Sequence, residues 1–343
     1  MYKLYENCRL CPRNCGVDRV RGEKGYCGED AQIKVAWAGL HFGEEPPLIG
    51  KGGSGTVFFT GCTLKCDSCQ NCQLSRQGLG REMSSGEFEQ LMLRIQERGA
   101  ENINLVTATH FVPAIIEAVA AARAQGLSLP VVWNSSGYEK VSTLQMLKDT
   151  VDVYLLDCKT LDSAVSRRLM GAADYPEVVQ SALLRMIEDK PLIVGEDEIR
   201  QGVIVRHLVL PGLLEQSREV LRWFAGHLKD RALLSLMFQY TPPPLGQGGA
   251  AAERSCAAKV ITMEERGPEA EGKRSRPLHL ERTVNRRESR QVLTWLEELE
   301  IEDGFVQEPA RNSDWLPDFT QAFPFPEGQA VPIWHYESGY IGR

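Results

Sequence analysis

The strongest constraint on the fold is a set of three cysteines that follows a short apolar segment. Cys62, Cys66 and Cys69 have C-x3-C-x2-C spacing and come shortly after the apolar segment 57–59. Thiols at this spacing face one point only if the backbone turns tightly, which suits an iron–sulfur cluster better than a disulfide framework. Three protein ligands leave one position of a cubane cluster open, and open metal positions are where chemistry usually occurs. The alternative is a zinc knuckle with Cys72 as the fourth ligand.

Four more cysteines lie near the start of the chain. Cys8, Cys11, Cys15 and Cys27 are spaced C-x2-C-x3-C-x11-C. The glycines and proline between them provide the tight turns of a small metal-organised module, because so short a segment has too few apolar residues for its own core. Four thiolates complete a coordination sphere, so we expect a structural or electron-transferring site. An auxiliary iron–sulfur cluster and a zinc ion remain alternatives for it.

Charge and hydropathy argue against several classes of protein. The 343 residues include 39 basic and 46 acidic side chains, and the formal net charge of −7 offers no basic field for nucleic acid. No segment approaches the roughly 18 apolar residues of a membrane span, and the N-terminus lacks an apolar signal segment. We therefore expect a cytoplasmic protein without nucleic-acid or membrane partners. In that reducing compartment, ten cysteines fit metal ligands better than disulfides.

Strand and helix patterns alternate between residues 54 and 240. The candidate strands are 56–60, 103–107, 130–134, 153–157, 203–210 and 233–238. This alternation predicts an α/β fold with parallel strand pairing and right-handed crossovers. Six such units are two short of a closed barrel.

Polar side chains stand at the carboxyl ends of these strands, where α/β barrels collect their reactive groups. They are of the types that hold the polar groups of a small ligand. The candidates are Thr107, Thr109, Asn134, Asp157, Lys159 and His207. Two alternatives stay open: His207 is a core histidine, and Asp157 with Lys159 is an ordinary ion pair at a barrel rim.

The cysteine triplet on the loop after the first strand resembles the signature of the radical S-adenosylmethionine (SAM) enzymes. The resemblance covers residues 54–240 and implies an open, partial (β/α)6 barrel. It also implies a [4Fe-4S] cluster on Cys62, Cys66 and Cys69, with SAM bound at the open iron. In that family, reductive cleavage of SAM gives a 5′-deoxyadenosyl radical that abstracts hydrogen from the substrate. The strand-end residues would then contact SAM: Thr107 and Thr109, in place of the usual glycine-rich strand end, Asn134, Asp157, Lys159 and His207.

A narrower resemblance concerns the pyruvate formate-lyase activating enzymes. It rests on Asp157-x-Lys159 and on the segment VIVRHLVLPG at 203–212, and cysteines ahead of the barrel are similar to a PflX-like branch. A low-potential electron donor, flavodoxin or ferredoxin, is the expected partner. The favoured substrate is a backbone glycine of a glycyl-radical protein. The alternatives are a small molecule or another macromolecule, and a non-enzymatic metal-binding or electron-carrier protein.

The chain is expected to divide into four segments. A Cys-rich module at 1–53 precedes the partial barrel at 54–240. The segment 241–280 is rich in proline, glycine and alanine and is expected to be a flexible insertion. The extension at 281–343 is helical and irregular, and we expect it to cover the open edge of the barrel, since sheet edges are normally covered.

Overall fold

The computed structural model describes residues 1–196, 198–242, 280–308 and 316–342. The predicted insertion at 241–280 lies outside the described residues except for its first two residues and its last. Within the described residues, no helix combines the length and apolar character that crossing a membrane needs.

A single large sheet organises the described chain. Its strands are β1 (Ile33–His41), β2 (Ser54–Phe59), β3 (Arg81–Met83), β4 (Ile103–Val106), β5 (Val131–Ser135), β6 (Val153–Asp157), β7 (Ile193–Val194), β8 (Ile199–Leu208), β9 (Leu233–Met237), β10 (Gly304–Gln307), β11 (Ala330–His335) and β12 (Gly339–Tyr340). Their order in the sheet is β10-β9-β8-β6-β5-β4-β2-β1-β11-β12, with β3 paired to β1 and β7 to β8. β10 and β12 lie at the two ends of this path and do not pair with each other in the described part of the chain, so the sheet does not close into a barrel.

The six predicted strands form the parallel centre of this sheet. β2, β4, β5, β6, β8 and β9 pair in parallel along the path, and Asp157 at the end of β6 lies opposite Arg206 of β8. These strands are buried on both faces, as parallel strands covered by crossover helices usually are. The predicted α/β class and the open, partial barrel are therefore confirmed.

Helices connect the parallel strands and cover the sheet. They are α1 (Pro46–Ile49), α2 (Cys72–Ser75), α3 (Ser85–Glu97), α4 (Val112–Ala124), α5 (Val141–Leu147), α6 (Ser163–Met170), α7 (Tyr175–Asp189), α8 (Leu214–His227) and α9 (Arg286–Glu298), with 3-10 turns at Tyr2–Tyr5, Arg19–Arg21 and Thr109–Phe111. Local chemistry fixes several ends. The Ser84 hydroxyl accepts the Glu87 backbone N–H while the Glu87 carboxylate accepts that of Ser84, which makes a capping box at the start of α3.

The terminal segments contribute strands to both edges of the parallel centre. β1 belongs to the predicted N-terminal module by sequence, yet it pairs antiparallel with β2 inside the sheet. From the C-terminal extension, β10 pairs in parallel with β9, and β11 pairs antiparallel with β1. The extension therefore adds β10 directly beside one end of the parallel centre and β11 beyond β1 at the other end.

Candidate active site

The three-cysteine loop begins directly after β2. Gly61 turns the chain with φ +82°, and a Cβ placed there would lie 2.6 Å from Cγ of Glu29 and 2.9 Å from the Cys27 carbonyl oxygen. Only glycine fits such a close approach at a positive φ. The turn brings Cys62, Cys66 and Cys69 to the wall of one cavity of about 530 Å³.

Hydrogen bonds hold these thiols in place. The Leu64 N–H donates to Cys62 Sγ at 3.4 Å, and the Ser75 hydroxyl donates to Cys69 Sγ at 3.3 Å. Burial raises the pKa of Cys66 to about 12, opposed by the nearby positive charge of Lys159 and reinforced by the other two thiols. The three sulfur atoms therefore lie within electrostatic range of one another and of a cationic side chain.

Asp157 and Lys159 line the same cavity. Their side chains form an ion pair at 2.7 Å. Burial alone would lower the pKa of Lys159, but the Asp157 carboxylate and the thiols raise it above its usual value, so the amine stays charged. The Tyr175 hydroxyl accepts the Lys159 backbone N–H at 3.1 Å and donates to the Asp157 carbonyl oxygen at 2.7 Å. The pair is thus held by the fold and is not a loose surface contact.

The structure brings most of the predicted strand-end residues together and leaves two out. Thr107 and Asn134 line the cavity with Asp157 and Lys159. Thr109 instead donates its buried hydroxyl to Glu139 Oε1 at 2.6 Å. His207 is buried outside the described lining of the cavity, which does not support the predicted contact.

His207 has the geometry of a core histidine. Its Nδ1–H donates to the Cys158 carbonyl oxygen at 2.8 Å, and its Nε2 accepts from the Ser217 hydroxyl at 2.9 Å. Burial lowers the pKa of His207 to about 4, so the ring is neutral near pH 7. Both nitrogen atoms are therefore used within the protein.

Sequence reasoning missed a charged group on the same cavity. Arg206 of β8 and Glu44, which follows β1, both line it, and the Arg206 guanidinium also binds Glu45 at 2.5 Å. Arg206 precedes His207, so the two side chains leave opposite faces of the strand. An arginine that directly follows the apolar residues 203–205 was the sequence signal that could have revealed this group.

The N-terminal cysteines form a second group at a different kind of site. Cys8 and Cys27 are buried, and the Tyr26 N–H donates to Cys15 Sγ at 3.3 Å. Burial raises the pKa of Cys11 to about 12, and the thiols of Cys27, Cys15 and Cys8 raise it further. The other three thiols thus act electrostatically on Cys11, and none of the four residues belongs to the described lining of the cavity.

The metal assignment of both cysteine groups remains a prediction. Among the described residues, no three histidine, cysteine, aspartate or glutamate side chains are grouped so that they hold a metal ion as they stand. Cys72, the fourth ligand in the zinc-knuckle alternative, is buried at the start of α2 and is not part of the described cavity lining.

Arg13 joins the two cysteine groups. Its Nε donates to the Thr63 carbonyl oxygen at 2.8 Å, and its Nη1 and Nη2 donate to the carbonyl oxygens of Gly171 and Met170. The guanidinium lies 3.8 Å from the ring centroid of Tyr26, whose hydroxyl donates to the Leu64 carbonyl oxygen at 3.1 Å. The N-terminal module is therefore braced directly against the three-cysteine loop.

The fold and the site together define the class of open α/β barrels that carry a cysteine loop at the mouth of the barrel. Residues 56–224 match the sequence profile of the radical SAM superfamily. These residues, just under half of the chain, therefore carry a radical SAM domain.

Relatives with similar sequences are distant. The chain is 29% identical over 249 residues to an uncharacterized protein of Methanocaldococcus jannaschii, covering 70% of this chain and 67% of that protein. It is 24% identical to the pyruvate formate-lyase-activating enzyme of Clostridium pasteurianum, covering 56% of this chain and 76% of that enzyme. Among solved structures, Streptococcus suis SuiB bound to S-adenosylmethionine aligns at 14% identity with a TM-score of 0.45. That alignment covers 72% of this chain and 48% of SuiB, so the chain spans about half the length of that protein.

Proposed function

We propose that this chain is a radical SAM enzyme whose reaction takes place in the cavity beneath the three-cysteine loop. The observation that carries the proposal is the placement of Cys62, Cys66 and Cys69 on one cavity together with Asp157 and Lys159. The thiols suit a metal cluster, and a carboxylate and an ammonium group that line the same cavity suit a cofactor with an amino-acid group.

The donor set fits the cofactors that the superfamily implies. Cys62, Cys66 and Cys69 would hold a [4Fe-4S] cluster, and their number leaves one iron for SAM. When bound, the reduced cluster and SAM supply a 5′-deoxyadenosyl radical that takes a hydrogen atom from the substrate. The protein's own contribution is binding, orientation and exclusion of water.

Other residues that line the cavity are proposed to orient SAM. The Lys159 ammonium suits its carboxylate, and the Asp157 carboxylate suits ribose hydroxyls. Thr107 and Asn134 offer further polar atoms on the same wall. His207 and Thr109, which the structure places outside the described lining of the cavity, are proposed to support this wall from behind.

The proposed substrate is a backbone glycine of a glycyl-radical protein. Similarity to the activating enzyme of Clostridium pasteurianum, at 24% identity, supports this choice. Modification of a small molecule or another macromolecule is the second candidate, favoured by the separate N-terminal cysteine group. A low-potential donor, flavodoxin or ferredoxin, is the proposed reductant. Cys8, Cys11, Cys15 and Cys27 would hold an auxiliary cluster or zinc, and the cytoplasm is the proposed location because it keeps such thiols reduced.

Deoxyadenosine formation tests the central proposal. The anaerobically purified and reconstituted chain is mixed with SAM and dithionite, and 5′-deoxyadenosine is measured by liquid chromatography. We expect the wild type to form it and Cys66→Ala to form none. Cys158→Ala, which removes a buried thiol outside the triplet, should retain it. A wild type that binds no SAM and forms no deoxyadenosine would overturn the proposal in favour of a metal-binding or electron-carrier protein.

The glycine substrate requires a separate test. The reduced enzyme is incubated with SAM and purified glycyl-radical proteins, and electron paramagnetic resonance detects a protein-centred radical. A radical that depends on SAM and disappears when the target glycine is replaced by alanine supports this substrate. Deoxyadenosine formation stimulated by a small metabolite, without a protein radical, would support the second candidate instead.

A further inference from the structure

Arg206 forms a charged group, which we call the arginine cluster, with Glu44, Glu45 and His41. Nε and Nη2 of Arg206 both donate to the Glu45 carboxylate at 2.5 Å, and Nη2 also donates to Glu44. The two glutamates are buried. Glu44, Arg206 and His41 line the same cavity as the three cysteines. The cluster is therefore part of the reaction cavity.

Counted without His41, the cluster has two carboxylates and one guanidinium, which is one more negative than positive charge. Burial alone would raise the pKa of Glu44, but the Arg206 guanidinium and His41 outweigh it and hold the pKa at about 2. Glu44 and Glu45 thus face a single guanidinium. The neighbouring Asp157 and Lys159 compensate each other as an ion pair. A buried charge without a partner of opposite sign is unfavourable, so the cluster favours a further cation.

Glu44 has an oxygen atom available for that cation. Glu45 Oε1 accepts from Arg206 and from the Ser235 hydroxyl at 3.0 Å, whereas Oε2 of Glu44 accepts from Arg206. Nδ1 of His41 lies 3.5 Å from Glu44 Oε1. That Nδ1 is buried and forms no hydrogen bond with a described residue. A carboxylate oxygen has two lone pairs, so Glu44 Oε1 can accept from a ligand in addition to its contact with His41.

Aromatic rings complete this part of the cavity. Phe42, Phe58 and Phe325 line it, and the ring centroids of Phe58 and Phe325 are 5.8 Å apart. Aromatic faces attract cations, and the attraction strengthens away from water. Binding of an anion is disfavoured here because the Arg206 guanidinium already binds the carboxylates of Glu44 and Glu45.

We propose that the arginine cluster binds an ammonium or guanidinium group of the substrate, held by Glu44 and the surrounding phenylalanine rings. This inference rests on the proposed function, since it names a chemical feature of the molecule that reacts in the cavity. The substrate is either a small amine or a peptide segment with a lysine or arginine side chain next to the reacting position.

Binding of three matched probes tests the inference without turnover. 4-Phenylbutylammonium, 4-phenylbutanol and 4-phenylbutyrate share one ring and one linker but differ in charge. Isothermal titration calorimetry with the reconstituted protein and saturating SAM measures their affinities. We expect the ammonium probe to bind at least about tenfold more tightly than the alcohol, and the carboxylate to bind most weakly. Equal or tighter binding of the carboxylate would overturn the proposal.

Two variants and one control assign the binding to this cluster. Glu44→Gln should bring the affinity for the ammonium probe close to that for the alcohol. Glu215→Gln makes the same change of net charge on the exposed start of α8 and should leave the preference intact. Phe325→Leu should weaken ammonium binding by about threefold and spare the alcohol, which keeps the test decisive if Glu44→Gln fails to fold.

Two further outcomes would contradict the proposal. An ammonium preference that survives in Glu44→Gln would place the cation elsewhere. An ammonium affinity that falls as SAM is added would make the cluster part of the SAM site. Because no reaction is measured, a chain that forms no deoxyadenosine can still show the preference. The failure of either proposal is therefore distinguishable from the failure of the other.

Discussion

The two cysteine groups differ in what surrounds them. The loop group presents three thiols to a cavity of about 530 Å³ that a lysine and an aspartate also line. The N-terminal group has four thiols packed in tight turns beside Arg19, which is 1% exposed. An open set of three suits a centre that reacts, whereas a closed set of four suits a centre that stabilises or transfers electrons.

A cation accompanies each group, buried in the case of Arg19 and partly exposed in the case of Lys159, which the sequence spacing alone did not indicate. Arg19 donates to the backbone carbonyl oxygens of Glu29 and His110, and its Nη1 lies 3.7 Å from Cys8 Sγ. Burial raises the pKa of Cys27, and the Arg19 charge opposes that rise as Lys159 does for Cys66. In each group a cation thus partly offsets the burial that disfavours thiolates, and the two sites differ in access.

The largest expected effect is a difference in metal content between variants of the two cysteine groups. Cys62→Ala should lose about four iron atoms per chain, as for one cubane cluster, and all deoxyadenosine formation. Cys8→Ala should lose only the metal of the N-terminal group, either about four iron atoms or one zinc ion. Elemental analysis of both variants provides the measurement. A Cys8→Ala protein that also loses the metal of the loop group would show that the two groups form one site.

The contact between the groups depends on Gly61. Gly61→Ala should lower the free energy of unfolding by about 3 kcal/mol, because a Cβ there combines a strained positive φ with a clash. Gly22→Ala is the matched control: its φ is +84°, and a Cβ there meets nothing within 4 Å. We expect it to cost about 1 kcal/mol. Urea unfolding measures both, and equal losses would argue against tight contact at Gly61.

His110 lies between the two groups, and its burial predicts that the stability of the folded chain depends on pH. Its Nε2–H donates to the Thr60 carbonyl oxygen at 2.7 Å, and burial, with the Arg19 charge, lowers the pKa of His110 to about 3. The unfolded chain takes up the proton near pH 6.5 and the folded chain does not, so stability falls as the pH drops below that value. At pH 5 the loss from His110 is about 2 kcal/mol.

Urea unfolding between pH 7 and pH 5 measures this dependence. His207, whose pKa is also lowered by burial, adds to the slope in the wild type. His110→Gln should show a correspondingly smaller slope, whatever its absolute stability. An unchanged slope would mean that the ring is protonated in the folded chain.

Substitution of Arg13 tests the contact between the N-terminal module and the three-cysteine loop. Arg13→Ala removes three hydrogen bonds to carbonyl oxygens and the stacking on Tyr26, and should cost about 1.5 kcal/mol of unfolding free energy. Arg21→Ala, whose side chain is 85% exposed, should cost close to nothing. Similar losses in the two variants would remove the case for a brace.

The smallest effect concerns one thiol of the loop group. Ser75→Ala removes the hydroxyl that donates to Cys69 Sγ at 3.3 Å and lowers the pKa of that thiol against the effect of burial. In the metal-free protein, alkylation of Cys69 by iodoacetamide should slow by roughly threefold, equivalent to about 0.7 kcal/mol. Cys66 in the same sample is the internal control, and equal slowing of both thiols would indicate a general change of the loop.

The sequence predicted the parallel centre of the fold well because its strands alternate regularly with helices. It did not predict that β1 enters the sheet, because its antiparallel partners include β11, almost three hundred residues further along the chain. Periodicity describes a strand, whereas its partner depends on the whole chain.

Only part of the site was predicted, and the reason is related. Asp157 and Lys159 follow from their position after a strand. The choice between Arg206 and His207 depends on which face of β8 meets the cavity, and a strand that is buried on both faces carries no alternation that reveals this. Thr107 and Thr109 were separated by a positive φ of 60° at Thr107 and a 3-10 turn at Thr109.

The pairing of β1 with β11 also constrains the order in which the protein is made. Trp37 lies opposite His335, so the edge of β1 has no partner from β11 until about three hundred further residues have left the ribosome. Contacts of such long sequence separation form slowly, and unpaired strand edges in the meantime favour aggregation. Emergence of β11 is thus the step that covers this edge, and a chain cut short before β11 would leave β1 exposed along one side.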